Sequence, residues 1–258
     1  LVSGTLTLSL IGIGYGDPEQ LTRAAVRAIN AADLVLIPRK GADKSDLAEL
    51  RRTICAQVLN TDGPRLVEFD LPLRDTGQED YRSGVDAWHD AVAATWAREI
   101  AAHLGNEGRV ALLIWGDPSL YDSSLRIARR LDPVPKIEVV PGITSIQALC
   151  AAHALPLNDI GAPFLVTTGR RLREGGWPSG VDTVVVMLDG GTAFQSLDPK
   201  ELRIWWGAYL GMPDQIILAG PLAQVGAQIV EIRRKARERH GWIMDSYILK
   251  RATAPDDR

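Results

Sequence analysis

The sequence predicts an α/β protein whose first half carries a mainly parallel sheet, and three stretches predict it. Leu6–Ile13 and Val110–Trp115 are apolar runs without a single charge, as suits strands buried on both faces of a parallel sheet. Each ends in a glycine- and proline-containing turn before a helix-starting segment, and Ile137–Val140 ends in the same way. The turns read GIGYGDPEQLT (Gly12–Thr22), WGDPSLYDSS (Trp115–Ser124) and VVPGITSIQ (Val139–Gln147). Ligands of open α/β sheets bind at the carboxyl ends of the strands, so these turns are the candidate site.

Along the chain, Gly12, Gly14 and Gly16 follow the first strand, and Asp17-Pro18 is expected to start a helix. Leu21, Ala25, Ala28, Ile29 and Ala32 keep helical spacing and predict one face packed on a sheet. Asp33–Ile37 is the next strand, which makes a parallel β-α-β unit. Residues 38–45 are a basic loop with Arg39 and Lys40, followed by a helix at 46–58, a short strand at Leu66–Phe69 and a polar turn at 72–80. A long amphipathic helix is predicted from Glu79 to Leu104, ended by Asn106-Glu107-Gly108. The strand at 110–115 leads into a helix reaching about Leu131, then the strand Ile137–Val140. Pro141-Gly142 turns the chain into a helix with Ile146, Leu149 and Cys150.

Residues 154–163 (ALPLNDIGAP) hold two prolines and a glycine. They predict a boundary between an N-terminal α/β domain at 1–158 and a C-terminal α/β domain with a mixed sheet at 159–258. The second domain opens with a strand at 164–168 and a basic loop, Gly169–Gly176, carrying Arg170, Arg171 and Arg173. A strand at Val184–Leu188 ends in Asp189-Gly190-Gly191. Further strands are expected at 203–206, 215–219 and 243–249, with a helix from Leu222 to Arg239.

Composition narrows the function. A formal charge of −3 offers nothing to nucleic acid or to an anionic membrane. Cys55 and Cys150 lack CxxC spacing and read as buried thiols in a reducing compartment. No apolar run of about 18 residues and no signal-peptide pattern is present, so the expected setting is the cytoplasm.

The motifs exclude several chemistries. GIGYG is not a dinucleotide fingerprint, because Asp17 takes the third glycine's place and the second strand runs into Ile37-Pro38-Arg39 without a ribose-binding acid. G-K-[ST] and G-x-S-x-G are absent. His89, His103, His153 and His240 stand isolated, and no metal site is expected. The run Arg233–Arg239 at a helix end reads as a solvated face that complements the helix dipole. What remains is a site of backbone turns, the hydroxyls of Tyr121, Thr144 and Ser145, aspartates and two basic loops. Such a site suits a zwitterionic nucleoside-like cofactor and a polyanionic partner.

Gly12–Thr22, Gly116–Tyr121 and Pro141–Ser145, in this order and spacing, resemble the G-x-G-x-G-D-P-x-x-L-T, G-D-P-x-x-Y/F and P-G-[IV]-[TS]-S motifs of the tetrapyrrole (precorrin) methylase family. Tyr15 stands where siblings commonly have proline. The resemblance implies two α/β domains with the active-site cleft between them, binding S-adenosyl-L-methionine (SAM) and releasing S-adenosyl-L-homocysteine. From the first domain it implies cofactor contacts by Tyr15, Gly116, Asp117, Leu120, Tyr121, Thr144 and Ser145. From the second it implies Met187, Leu188, Ala208, Tyr209, Gly220, Pro221 and Leu222.

Residues 40–55, 115–127, 167–172, 182–190, 205–222 and 241–251 narrow the likeness to family members that methylate C-1 of precorrin-5 in oxygen-dependent cobalamin synthesis, with loss of acetate, to give precorrin-6A. A homodimer is implied as well. The carboxylate-rich precorrin-5 would meet Gly14, Gly16, Asp17, Arg39, Lys40, Arg170, Arg171 and Arg173. Asp117, as general base, and Tyr121, as hydrogen-bond donor, are the expected catalytic pair, while Asp117 could equally cap a turn. The rival readings are a sibling acting at another ring position or on a non-tetrapyrrole substrate, and a non-catalytic SAM- or tetrapyrrole-binding protein.

Overall fold

The computed structural model describes residues 5–39, 45–73 and 81–251. The chain divides into two compact units, Leu1–Thr144 and Ser145–Arg258.

The first unit holds β1 (Leu6–Gly12), α1 (Arg23–Asn30), β2 (Leu34–Arg39), α2 (Ser45–Val58), β3 (Arg65–Asp70), α3 (Tyr81–His103), β4 (Gly108–Ile114), α4 (Ser124–Ala128) and β5 (Lys136–Val140). Its five strands are all parallel, in the order β3-β2-β4-β1-β5. Strand alternation explains the charge-free runs, since successive side chains enter opposite layers. Leu8, Leu10, Leu34, Leu36, Val110 and Leu112 pack with Val92, Trp96 and Ile100 of α3 and Ile127 of α4. Ile11, Ile13, Val35, Ile37, Ala111 and Leu113 pack with Ala25 and Ile29 of α1 and Ile54 and Cys55 of α2. β2 pairs with β4 only from Leu34–Val110 to Leu36–Leu112, then runs on beside β3 alone as far as Arg39–Asp70.

Two helix starts differ from expectation. Asp17-Pro18 opens only a single 3-10 turn, Pro18–Gln20, with Asp17 accepting the Glu19 amide at 2.9 Å. α1 begins later, where the Thr22 hydroxyl accepts the Ala25 amide at 3.0 Å. After β4, Asp117 and Asp122 each capture the amide two residues on, at Ser119 and Ser124. These local turns replace the long helix expected up to Leu131 and leave α4 five residues long.

The second unit holds α5 (Ser145–Ala152), β6 (Phe164–Thr168), α6 (Gly169–Gly175), β7 (Thr183–Met187), β8 (Leu202–Ala208), β9 (Ile216–Pro221), α7 (Leu222–His240) and β10 (Asp245–Arg251). The sheet order is β6-β7-β10-β8-β9, with β6 and β7 parallel and the other neighbours antiparallel. Residues 145–158 lie on the second unit's side of the division, whereas the proline-rich stretch placed the boundary after 158. α5 packs tightly on this sheet: a Cβ on Gly207 of β8 would stand 2.8 Å from the Leu149 side chain, and His153 Nε2 lies 3.0 Å from the Trp206 carbonyl.

The expected basic loop at 169–176 is instead α6. Thr168 caps it by accepting the Arg171 amide at 3.4 Å, and Gly176 ends it at φ 67°. Cys55 is buried, Cys150 half-buried, and both thiols are free. Among the described residues no helix is long and apolar enough to cross a membrane.

Candidate active site

The three glycine-bearing turns meet at the carboxyl ends of the adjacent strands β4, β1 and β5. Gly14 and Gly116 form an antiparallel bridge, with the Gly116 amide donating to the Gly14 carbonyl at 2.8 Å. A Cβ on Gly142 would stand 2.1 Å from the Gly116 carbonyl oxygen, and one on Gly12 would stand 2.5 Å from the Gly142 amide nitrogen. No side chain fits at positions 12 or 142, so backbone meets backbone there. Gly116, at φ 66°, has open space where its Cβ would be.

Asp117 braces this cluster. Its Oδ2 accepts the Gly142 amide at 2.9 Å, and its Oδ1 accepts the Ser119 amide at 2.8 Å and the Ser119 hydroxyl. Burial pushes the carboxyl up, but hydrogen bonds from the Ser119 hydroxyl, the Gly142 amide and the Ser119 amide outweigh it and hold the group below the ordinary aspartate value. Three of roughly four acceptor positions are therefore taken, in a group that stays ionised.

Tyr121 is 46% exposed and sits at φ 51°, a left-handed conformation uncommon for a bulky residue. Burial pushes its hydroxyl above the ordinary phenol value, so it remains a donor at neutral pH. Tyr15 is buried with its ring 5.3 Å from that of Trp115, while Leu120 and Thr144 are partly buried. The buried Ser145 hydroxyl has no hydrogen-bond partner among the described residues. Gly14, Gly16 and Asp17 border the same turns, with the two glycines at positive φ.

The second-unit residues are spread along their sheet. Met187 and Leu188 end β7, and Ala208 and Tyr209 end β8; both strands run antiparallel to β10, so the two ends share one edge. Gly220–Leu222 lies at the opposite edge, because Pro221 pairs with Arg203 whereas Ala208 pairs with Ile216. Leu188 is 66% exposed, and both it (φ 51°) and Tyr209 (φ 50°) are left-handed. Strained non-glycine backbone of this kind clusters at functional sites. The Tyr209 side chain is committed to the core, its hydroxyl donating to the Trp242 carbonyl at 2.6 Å.

Two of the basic residues are anchored by acids. Arg39 grips Asp70 at 3.0 Å, and Arg173 reaches the buried Asp189 at 3.1 Å. Lys40 lies outside the described residues. Arg170 and Arg171 are exposed on α6.

Asp189 was missed as a site-building residue. The Asp189 carboxylate accepts the Gly191 amide at 3.0 Å and the Tyr247 hydroxyl at 2.7 Å, fixing the turn that follows Leu188. An acid directly after an uncharged strand was its signal.

The family profile of the Tetrapyrrole (Corrin/Porphyrin) Methylases matches residues 7–226. The chain is 46% identical over 259 residues to precorrin-6A synthase [deacetylating] of Sinorhizobium sp, covering 99% of each. The solved structure of a cobalamin synthesis related protein (CobF) from Corynebacterium diphtheriae matches with a TM-score of 0.83 and 36% identity, covering 97% of this chain and 100% of that one. Uroporphyrin-III C-methyl transferase from Thermus thermophilus, solved with S-adenosylhomocysteine, shares the fold at a TM-score of 0.57 and 23% identity, over 95% of this chain and 97% of that one.

Proposed function

The chain belongs to the tetrapyrrole methylase family, and from that premise we propose that it is the deacetylating C-1 methyltransferase of cobalamin biosynthesis, converting precorrin-5 to precorrin-6A with SAM. The observation that carries this reading is the end-to-end 46% identity to precorrin-6A synthase [deacetylating], in a fold whose sheet gathers the three glycine turns.

The first unit's residues fit a SAM-type ligand. Gly116 leaves open space above its backbone, and the hydroxyl of Ser145, the first residue of the second unit, is buried without a hydrogen-bond partner among the described residues. Gly116, Asp117, Leu120, Tyr121 and Thr144–Ser145 would hold the group, with Tyr15 behind them; Met187–Leu188, Ala208–Tyr209 and Gly220–Leu222 are the second unit's proposed contacts. Bound there, SAM would supply a methyl group already activated on a sulfonium, so the protein's main task is alignment.

Deacetylation needs more than alignment. Hydroxide from water adds to the acetyl carbonyl carbon, the bond to C-1 breaks with its electron pair left on C-1, and acetic acid departs and gives its proton to solvent. The C-1 pair would then form the new bond to the methyl carbon as that carbon's bond to sulfur breaks. The oxyanion that develops needs a donor, and the protonated Tyr121 hydroxyl is the side chain proposed for it. Asp117, ionised and bonded three times over, acts in this scheme by bracing the turn and not as a base near neutral pH. Arg170 and Arg171 are proposed to meet the substrate's carboxylates.

The protein is further proposed to act in the cytoplasm as a homodimer, which light scattering would check. For the activity itself, mass spectrometry after incubation with precorrin-5 and SAM should find acetate and a corrinoid whose acetyl group has been replaced by methyl. A methylated product that keeps its acetyl would move the assignment to a sibling reaction. No methylated product at all would refute it.

A further inference from the structure

Ala48, Ile54 and Cys55 of α2 are buried against the first sheet, and Arg51 falls on the same helical stripe. A methionine there would fill the core without taking a charge out of water. What the guanidinium does follows from the sheet. Pairing between β2 and β4 stops at Leu36–Leu112. Backbone carbonyls alternate in direction along a strand: that of Ile114 turns to β1 and accepts the Ile13 amide at 2.9 Å. The Leu113 carbonyl therefore faces the side that β2 has left, and Arg51 Nε donates to it at 2.9 Å. Arg51 also lies within electrostatic reach of the Asp122 carboxylate, which accepts the Ser124 amide at 2.6 Å at the start of α4. Burial is the larger influence and lowers the guanidinium to about 10, still charged at neutral pH.

Leu113 and Asp122 bracket the segment that carries Gly116, Asp117 and the left-handed Tyr121. We propose that Arg51 is a positioning residue that clips the two ends of this segment together and so holds the turn in the conformation that receives the methyl donor. The inference rests on the proposed function for the identity of the donor; the Arg51–Leu113 hydrogen bond carries the clip, and the charge of Asp122 supports it.

The test compares wild type, Arg51→Met, Arg51→Lys, Asp122→Asn and the Arg51→Met/Asp122→Asn double variant. Two readouts are used: S-adenosylhomocysteine affinity by calorimetry, and amide hydrogen exchange across residues 114–122. Arg51→Met should weaken affinity at least tenfold and speed exchange in that segment, with circular dichroism unchanged. Arg51→Lys, which keeps the charge, should recover part of both. The double variant should be no worse than Arg51→Met, since each change breaks the same clip. Wild-type affinity and exchange in Arg51→Met would overturn the proposal, as would fully additive losses in the double variant. Should Arg51→Met fail to fold, Arg51→Lys must still exchange faster than wild type in that segment, and unchanged exchange would refute the clip. If wild type itself binds no S-adenosylhomocysteine, the proposed function fails, while the exchange data still decide the role of Arg51.

Discussion

Asp117 Oδ2 accepts the Gly142 amide at 2.9 Å, which ties the turn after β4 to the turn after β5 across the end of β1. Because the same carboxylate also binds Ser119, its charge is spread over donors from both turns. Asp117→Asn would present an amide NH₂ where one donor now points. The expected cost is about 1–3 kcal/mol of stability, with a matching loss of S-adenosylhomocysteine affinity.

The same carboxylate sets a pH dependence. Its folded value lies below the unfolded one, so its contribution is complete above the unfolded value, near 4, and is lost as pH falls through the folded value. The stability gap between wild type and Asp117→Asn should therefore shrink as pH falls below about 4. Denaturant titrations at several pH values check this, and a constant gap would show that Asp117 contributes nothing through its charge.

Tyr121→Phe keeps the ring and removes the donor. Acetate release should fall about 100-fold or more, as for loss of an oxyanion donor elsewhere, while S-adenosylhomocysteine affinity stays within about twofold. Unchanged acetate release would remove Tyr121 from the chemistry.

Arg170 and Arg171 are exposed on α6, and Arg173 is anchored on Asp189. Arg170→Ala/Arg171→Ala should raise KM for the corrinoid and flatten its salt dependence without touching cofactor affinity. Arg173→Ala should lower thermal stability as well, because it strips a cation from a buried carboxylate. If all three changes weakened cofactor and corrinoid alike, a folding defect would be the cause.

Much of this was legible in the sequence, for a local reason. Glycine and proline turns declare themselves by residue type, and buried parallel strands by the lack of charge, so β1, β4, β5 and the three turns could be read directly. Long-range pairing could not. α6 looked like a loop because Gly169, Gly175 and Gly176 flank its arginines, yet Thr168 caps it. The proline-rich stretch at 154–163 suggests a boundary after α5, while the contacts of Leu149 with Gly207 and of His153 with the Trp206 carbonyl show that this helix packs on the second sheet. From residue type alone Asp117 suits a base or a brace, and only the hydrogen bonds it accepts from Gly142 and Ser119 favour the brace.

S-adenosylhomocysteine at about 100 times its dissociation constant should add roughly 2.7 kcal/mol of apparent stability, and NAD none. A thermal shift with NAD alone would contradict the reading of the GIGYG turn as something other than a dinucleotide site.

The most direct measurement is a crystal structure of the chain with S-adenosylhomocysteine bound. The ligand is expected against the backbone of Gly116 and Asp117, within contact of Tyr121 and Thr144, with the Asp117–Gly142 hydrogen bond intact. Ligand bound elsewhere, with the Gly116 turn uncovered, would contradict the assignment of the three glycine turns as the methyl-donor site.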